Sequence, residues 1–347
     1  MSSGDFESQK LSVLKNVYGF QSYRTGQEQV VDSLLAGENT LAVMPTGSGK
    51  SLCFQIPSLM LGGLTIVVSP LVALMQDQVA ALRLNGVAAE TINSGRDRRD
   101  NIASWKKVKA GFTQILYMAP ERLMSERMLV ALRELPVKLF AIDEAHCISQ
   151  WGPSFRPEYE QLKRLSTLFP GLPIAALTAT ADKATREDIV DQLFNKKATV
   201  VVTGFDRPNI KLSVAGKDDW RRQMLSFLRT KKGDSGIIYC LSRKKTDDTA
   251  AFLIENGYAA LPYHAGLEKS ERVKNQDLFM TQEGVVMVAT IAFGMGIDKP
   301  DIRFVLHADL PSSIEAYYQE IGRAGRDGQP AEVLMLYGLD DIRMRRV

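Results

Sequence analysis

Met44-Pro45-Thr46-Gly47-Ser48-Gly49-Lys50-Ser51 follows the apolar run Leu41-Ala42-Val43 and leads into a second apolar segment. A strand that turns through glycines into a helix leaves several backbone N–H groups unpaired and aimed one way. The positive end of the helix adds to them, and together they bind phosphate. Thr46, Gly47, Ser48 and Gly49 form that cradle. Lys50 is placed to reach the β- and γ-phosphates and the Ser51 hydroxyl to sit on Mg²⁺. The strict pattern opens with Gly where this chain has Met44, so the match is partial. The same residues also suit a plain strand–turn–helix connection that uses Gly for positive φ.

The composition sets the frame. At 347 residues, with 45% hydrophobic and 24% charged side chains, the chain has enough apolar material for two cores. Its 43 Lys and Arg against 40 Asp and Glu leave a net charge of only +3, so any nucleic-acid site must be local. Cys53, Cys147 and Cys240 include no C-x-x-C pair, so no structural zinc is expected. Scattered thiols fit a reducing compartment. The polar, acidic opening is unlike a secretory leader, and no apolar run approaches the roughly 18 residues that span a bilayer. The expectation is a cytoplasmic protein without membrane contact, nucleoid-associated if bacterial.

Short apolar or β-branched runs alternate with helical patterns. Strands are expected at 41–44, 65–69, 115–118, 139–142, 174–177 and 199–202, and again at 237–240, 285–289, 304–307 and 333–337. Leu71, Leu74, Met75, Val79 and Leu82 recur at helical spacing before Asn85-Gly86. Further helices are expected at 243–256, 267–280 and 313–322, with Ser312 and Glu315 at capping-box spacing. Continuous apolar strands separated by helices mean a parallel sheet covered on both faces. The fold class is therefore α/β, with two tandem domains at 1–206 and 207–347, each a mainly parallel sheet flanked by helices.

Leu139-Phe-Ala-Ile-Asp-Glu-Ala-His146 is an apolar strand ending in two carboxylates. At the carboxyl end of a parallel sheet, beside a phosphate loop, ligands bind. Asp143 is placed to hold Mg²⁺ and Glu144 to orient and deprotonate the attacking water. His146 is placed to couple this site to its surroundings. In Gln319-Glu-Ile-Gly-Arg-Ala-Gly-Arg-Asp-Gly328, Arg323 and Arg326 are three apart and share a face if the helix persists. Their planar, permanently charged groups suit a transferring phosphoryl group. A basic cluster at Arg96, Arg98, Arg99, Lys106, Lys107 and Lys109 is diluted by Asp97 and Asp100 and reads as a solvated helix face. His264 reads as structural, and His307 is given no role.

These elements in this order resemble the superfamily-2 helicases, and more closely the RecQ DNA helicases, over residues 18–337. The resemblance rests on Tyr18-Gly-Phe-Gln-Ser-Tyr-Arg-Thr-Gly-Gln27, Val67-Val-Ser-Pro-Leu-Val-Ala-Leu-Met-Gln-Asp-Gln78 and Tyr117-Met-Ala-Pro-Glu-Arg122. It continues through Leu177-Thr-Ala-Thr-Ala181, Phe205-Asp-Arg-Pro-Asn209, Tyr263-His-Ala-Gly266 and Ala289-Thr-Ile-Ala-Phe-Gly-Met-Gly-Ile-Asp298. It implies two RecA-like domains with ATP between them and DNA across the top. It also implies that Phe20 and Arg24 flank adenine, that Gln27 hydrogen-bonds its edge, and that Gln319, Arg323 and Arg326 complete the catalytic set. The family's aromatic-rich loop matches Ser149-Gln-Trp-Gly-Pro-Ser-Phe-Arg-Pro-Glu-Tyr159. Trp151 and Phe155 are suited to stack on bases, with Arg156 adding charge, and Thr178 and Thr180 are assigned to transmit closure.

Many members carry His-Asp where this chain has Pro153-Ser154. Proline fixes φ and removes a donor, so weaker coupling of DNA to turnover is expected. Longer members continue into a four-cysteine zinc domain and a winged helix, which three cysteines do not supply, so weak unwinding is expected. Arg343, Arg345 and Arg346 read as the start of a linker. The resemblance thus implies an ATP- and Mg²⁺-dependent 3′→5′ DNA helicase core for repair and recombination, acting as a monomer. Its partners are single-stranded and forked duplex DNA and single-strand-binding protein. The alternative is an ATP-gated DNA-binding translocase module with little unwinding.

Overall fold

The computed structural model describes residues 3–149, 156–204, 206–291, 293, 299–338 and 341. The chain divides into two compact units, Met1–Phe205 and Asp206–Val347. In the first, strands β1 (Thr40–Val43), β2 (Leu64–Val68), β3 (Ala89–Ile92), β4 (Ile115–Met118), β5 (Val137–Ile142), β6 (Ile174–Thr178) and β7 (Thr199–Val202) make one sheet ordered β3-β4-β2-β5-β6-β1-β7. Every pairing in it is parallel. Side chains alternate across the sheet. Leu41 and Val43 pack with Ile66, Phe140 and Ile142 on one face, while Ala42 and Met44 pack with Val67, Leu139 and Leu177 on the other. Helices cover both faces, because parallel strands need crossover connections and those connections carry the helices.

The second unit repeats the scheme with β8 (Ile210–Gly216), β9 (Ser235–Tyr239), β10 (Ala259–Tyr263), β11 (Val285–Ala289), β12 (Ile302–His307) and β13 (Ala331–Tyr337), ordered β10-β11-β9-β12-β13-β8. Its pairings are parallel throughout. Ile237, Tyr239 and Val305 face one core and Ile238, Phe304 and Leu306 the other. The α/β class and the two helix-flanked parallel sheets expected from sequence are therefore what the chain forms.

Three strands were not expected: β3, β8 and β10. All three are sheet edges. β8 and β10 leave most positions partly or fully exposed, and β3, though buried, carries Glu90 and Thr91, so none of the three has the continuous apolar run of a central strand. In β10, Pro262 is tolerated because one side of an edge strand forms no ladder. Two local expectations are corrected. The cap of the helix Ile314–Ile321 is Ser313, whose Oγ accepts from the Ala316 N–H, rather than Ser312. That helix stops at Ile321, so Arg323 and Arg326 lie in the turns beyond it and not on a helical face.

In the basic cluster, Arg98, Arg99, Lys106 and Lys109 are exposed, as a solvated face requires. Lys107 and Arg83 instead close on the buried Glu90 of β3, at 2.8 and 2.7 Å. Cys53, Cys147 and Cys240 are buried free thiols. Among the described residues no His, Cys, Asp and Glu group has the makings of a metal cluster, and no helix is long and apolar enough to cross a membrane.

Candidate active site

The loop after β1 enters the helix Lys50–Met60 through Gly49, at φ 81° and ψ 35°. A side chain is strained in that region, and a Cβ built on Gly49 would lie 2.5 Å from Gln27 Nε2. Gln27 is buried and ties the loop down. Its Nε2 donates to Ser48 O (2.9 Å) and Gly49 O (3.1 Å), while its Oε1 accepts from the Arg24 N–H (2.8 Å). Arg24 Nη1 donates to Gly47 O. The residues expected to meet adenine are thus bonded to the phosphate loop itself, and Phe20 beside them is 46% exposed. Lys50 Nζ folds back onto Met44 O (3.0 Å) and Pro45 O (3.2 Å), the rim of the same loop. Thr46 and Ser51 are half-buried there, and the Ser48 hydroxyl is buried with no partner among the described residues.

Strand β6 stands between β1 and β5, so three adjacent strand ends build the site. After β5 comes Asp143, whose N–H donates to Val68 O and whose Oδ1 accepts from the Glu144 N–H at 3.0 Å. Burial pushes the Asp143 carboxyl up to about 7; the Glu144 charge adds to this and the Lys50 ammonium opposes it. Glu144 sits in the left-handed region at φ 50°, ψ 44°, which turns the chain sharply out of the strand.

His146 Nδ1 lies 2.8 Å from Thr178 Oγ1 at the end of β6. Thr178 Oγ1 donates to Thr180 O (3.0 Å) and accepts from the Thr180 N–H (3.2 Å). Burial drives the His146 pKa down to about 4, so the ring is neutral. Its 3.4 Å approach to Glu144 Oε2 is consequently no ion pair. Arg156 is half-buried and docks by its backbone, its N–H donating to Cys147 O at 2.9 Å. Trp151 and Phe155 lie outside the described residues, as do Pro153-Ser154, Phe205, positions 294–298 and the three late arginines.

In the second unit, Gln319 is half-buried on the helix Ile314–Ile321. Arg323 is only 7% exposed, and its guanidinium bonds the buried Tyr239 hydroxyl. Arg326 is half-buried. Neither is the solvated arginine of an ordinary helix stop.

Sequence reasoning missed four supports. Tyr159, fully buried, donates its hydroxyl to Asp143 O at 3.1 Å. Tyr117 is buried close enough to Asp143 to feel its charge. His307, given no role, pairs through Nε2 with Glu320 Oε2 at 2.7 Å and stacks on Tyr239. Arg207 and Asn209 grip the arginine turn from more than a hundred residues away. Tyr159 and Arg207 stood inside quoted motifs, but their partners are main-chain carbonyls, which leave no mark in a sequence. His264 Nε2 lies 2.8 Å from Asp247 Oδ1.

Residues 24–189 match the DEAD/DEAH box helicase family and residues 218–328 match the helicase conserved C-terminal domain. The chain is 50% identical over 327 residues to the ATP-dependent DNA helicase RecQ of Pasteurella multocida, covering 94% of this chain and 52% of that protein. It is 40% identical over 337 residues to the probable ATP-dependent DNA helicase RecS of Bacillus subtilis, covering 96% of this chain and 67% of that protein. The chain thus spans about half the length of the RecQ relative. Among solved structures, the helicase MrfA bound to DNA superposes with a TM-score of 0.77 over 97% of this chain and 49% of that one. At 18% identity that likeness is one of fold, the tandem RecA-like architecture. Agreement at every second position across nearly the whole sequence goes far beyond what a shared fold imposes, and the chain belongs to the RecQ family of DNA helicases.

Proposed function

We propose that this chain is the motor core of an ATP- and Mg²⁺-dependent DNA helicase. It moves 3′→5′ along single strands and opens duplexes in DNA repair and recombination. One observation carries the reading: a phosphate cradle with Lys50, the Asp143–Glu144 pair and the Thr178–His146 contact converge on the ends of three adjacent strands. ATP fits these residues. Gly47 and Gly49 have positive φ, and the N–H groups opening the helix Lys50–Met60 have no side-chain cap. Mg²⁺ fits the oxygen donors of Ser51 and Asp143, and a cation there would offset a carboxylate charge that burial disfavours. When bound, Mg²⁺ would offset phosphate charge.

The chain's own residues divide the remaining work. The loop 46–51 binds and orients the triphosphate, and Phe20, Arg24 and Gln27 select the base. Glu144 takes the proton of the attacking water. Gln319, Arg323 and Arg326 stabilise the charge of the transferring group. His146, Thr178 and Thr180 link turnover to the DNA contacts of Trp151, Phe155 and Arg156. Unequal DNA affinity in the two nucleotide states then yields directed motion. Residues 1–206 serve as the ATP-binding domain and 207–347 as its partner domain. The substrates are single-stranded and forked DNA, single-strand-binding protein is a partner, and the chain works as a cytoplasmic monomer.

The test is ATP turnover with and without single-stranded DNA, together with strand displacement on a forked duplex. Stimulated turnover and displacement are expected from the wild type, and neither from Lys50→Ala. Turnover surviving in Lys50→Ala refutes the phosphate-loop assignment. Turnover without displacement favours the ATP-gated binding module.

A further inference from the structure

The turn that follows Ile321 is held partly by its own main chain and by β12: the Ala324 N–H donates to Ile321 O (3.0 Å), the Gly325 N–H to Ile302 O (2.8 Å), and Arg303 pairs with Asp327 (2.6 Å). It is not helical, and Gly325 inside it has φ 56°. Its carbonyls are gripped from the start of the second unit. Arg207 Nη2 donates to Ala324 O (2.9 Å) and Gly325 O (2.8 Å), Nη1 reaches Gly322 O (3.5 Å), and Nε donates to Asn209 Oδ1 (3.3 Å). Asn209 Nδ2 donates to Gly325 O and to Gln329 O, both at 2.9 Å, and Asn209 O accepts from the Ala331 N–H at 2.8 Å. A Cβ on Gly325 would lie 2.5 Å from Asn209 Nδ2, so the fit admits only glycine. Two side chains thus seize the main chain on both sides of Arg326, whatever side chains the turn carries.

We propose that Arg207 and Asn209 are positioning residues of the reaction: a backbone clamp that presets the turn from which Arg323 and Arg326 act. This rests on the reading that those arginines serve the transferring phosphate. A guanidinium is the suitable clamp because its rigid planar fork meets two successive carbonyls at once, which an ammonium on a flexible stem does not. The clamp matters for rate because charge stabilisation depends on groups being in place beforehand. A displacement of about 1 Å costs on the order of a hundredfold.

The experiment uses the whole chain with saturating single-stranded DNA. It measures kcat per folded molecule, the affinity of a fluorescent ATP analogue, and a double-mutant cycle. Arg207→Lys is expected to lower kcat about tenfold or more while leaving analogue affinity within about twofold, since the phosphate loop is intact. In an Arg326→Ala background the same change is expected to cost less than it does in the wild type, because only Arg323 is then left to position. A merely structural role would lower the folded fraction but not kcat per folded molecule. If Arg207→Lys does not fold, Asn209→Ala, which deletes two bonds to the turn, is read in the same way. Unchanged kcat in the clamp variants overturns the proposal, as does a loss that multiplies fully with that of Arg326→Ala. Normal kcat in both Arg323→Ala and Arg326→Ala removes the underlying reading and the clamp with it. A loss in those two but none in the clamp variants removes the clamp alone.

Discussion

Thr178→Val keeps the shape of a buried side chain and deletes one oxygen. That oxygen holds three contacts: Nδ1 of His146 at 2.8 Å, the Thr180 carbonyl at 3.0 Å and the Thr180 N–H at 3.2 Å. Thr178 is fully buried and both partners are nearly so, so water does not replace the oxygen. Leaving a buried donor unmet costs about 1–3 kcal/mol. The Thr180 N–H bears that cost in full. His146 escapes part of it, because Glu144 Oε2 lies 3.4 Å from the same nitrogen. The sum is about 2–4 kcal/mol, or roughly 5–15 °C in the melting temperature of a unit this size. Thr178→Ser keeps the oxygen and loses only a methyl, about 1 kcal/mol, so the pair separates the hydrogen bonds from packing. Amide hydrogen exchange at Thr180 is the direct readout. Exchange faster than wild type by about tenfold or more is expected for Val and near-wild-type protection for Ser, since each 1.4 kcal/mol is tenfold. Equal protection of the Thr180 amide in all three proteins would refute the hydroxyl's role in holding the chain at the end of β6.

The remaining expectations concern the two ends of the chemistry and the second unit. Glu144→Gln keeps the turn but removes the base; ATP turnover is expected to fall about 10²–10⁴-fold with nucleotide affinity preserved, as single-turnover and binding assays would register. Gly49→Ala forces a Cβ against Gln27 at positive φ, and about 1–3 kcal/mol of strain should appear in chemical denaturation together with weakened ATP binding. Burial alone would raise the Asp309 carboxyl. Lys217 and Lys245, bonded to it at 2.8 and 2.6 Å, overcome that and hold its pKa below the ordinary 3.8. A depressed carboxyl stabilises the fold above its unfolded pKa and loses that stabilisation as pH falls through the folded value. The second unit should therefore weaken below about pH 4, and Asp309→Asn should flatten that acid limb in a pH series of denaturation curves.

What could be read in advance follows burial. The central strands β1, β2, β5, β9 and β12 each carry a run of buried apolar residues (Leu41–Val43, Ile66–Val68, Leu139–Ile142, Ile237–Tyr239 and Phe304–Leu306) that marks itself. β3 carries Glu90, buried only because Arg83, Ser104 and Lys107 converge on it, and a buried acid inside a strand has no signature without its partners. β8 leaves Leu212 and Val214 exposed, and β10 carries a proline. Groups whose surroundings are local, such as Lys50 after β1 and Asp143 after β5, were legible from motif and position. The fixing of Gln27 to the loop and the hold of Arg207 on the arginine turn were not, because both act on peptide carbonyls that every residue possesses.

The three sulfhydryls of this chain have a practical consequence. Burial lifts the pKa of Cys53, Cys147 and Cys240 to about 12 each, so almost none exists as reactive thiolate at neutral pH. A dye-bearing cysteine introduced at Leu84 or Ile254, both open to solvent, needs no prior removal of native ones. Later uptake of label then works as a clock: modification at Cys53 times the exposure of the first lobe, and modification at Cys240 that of the second.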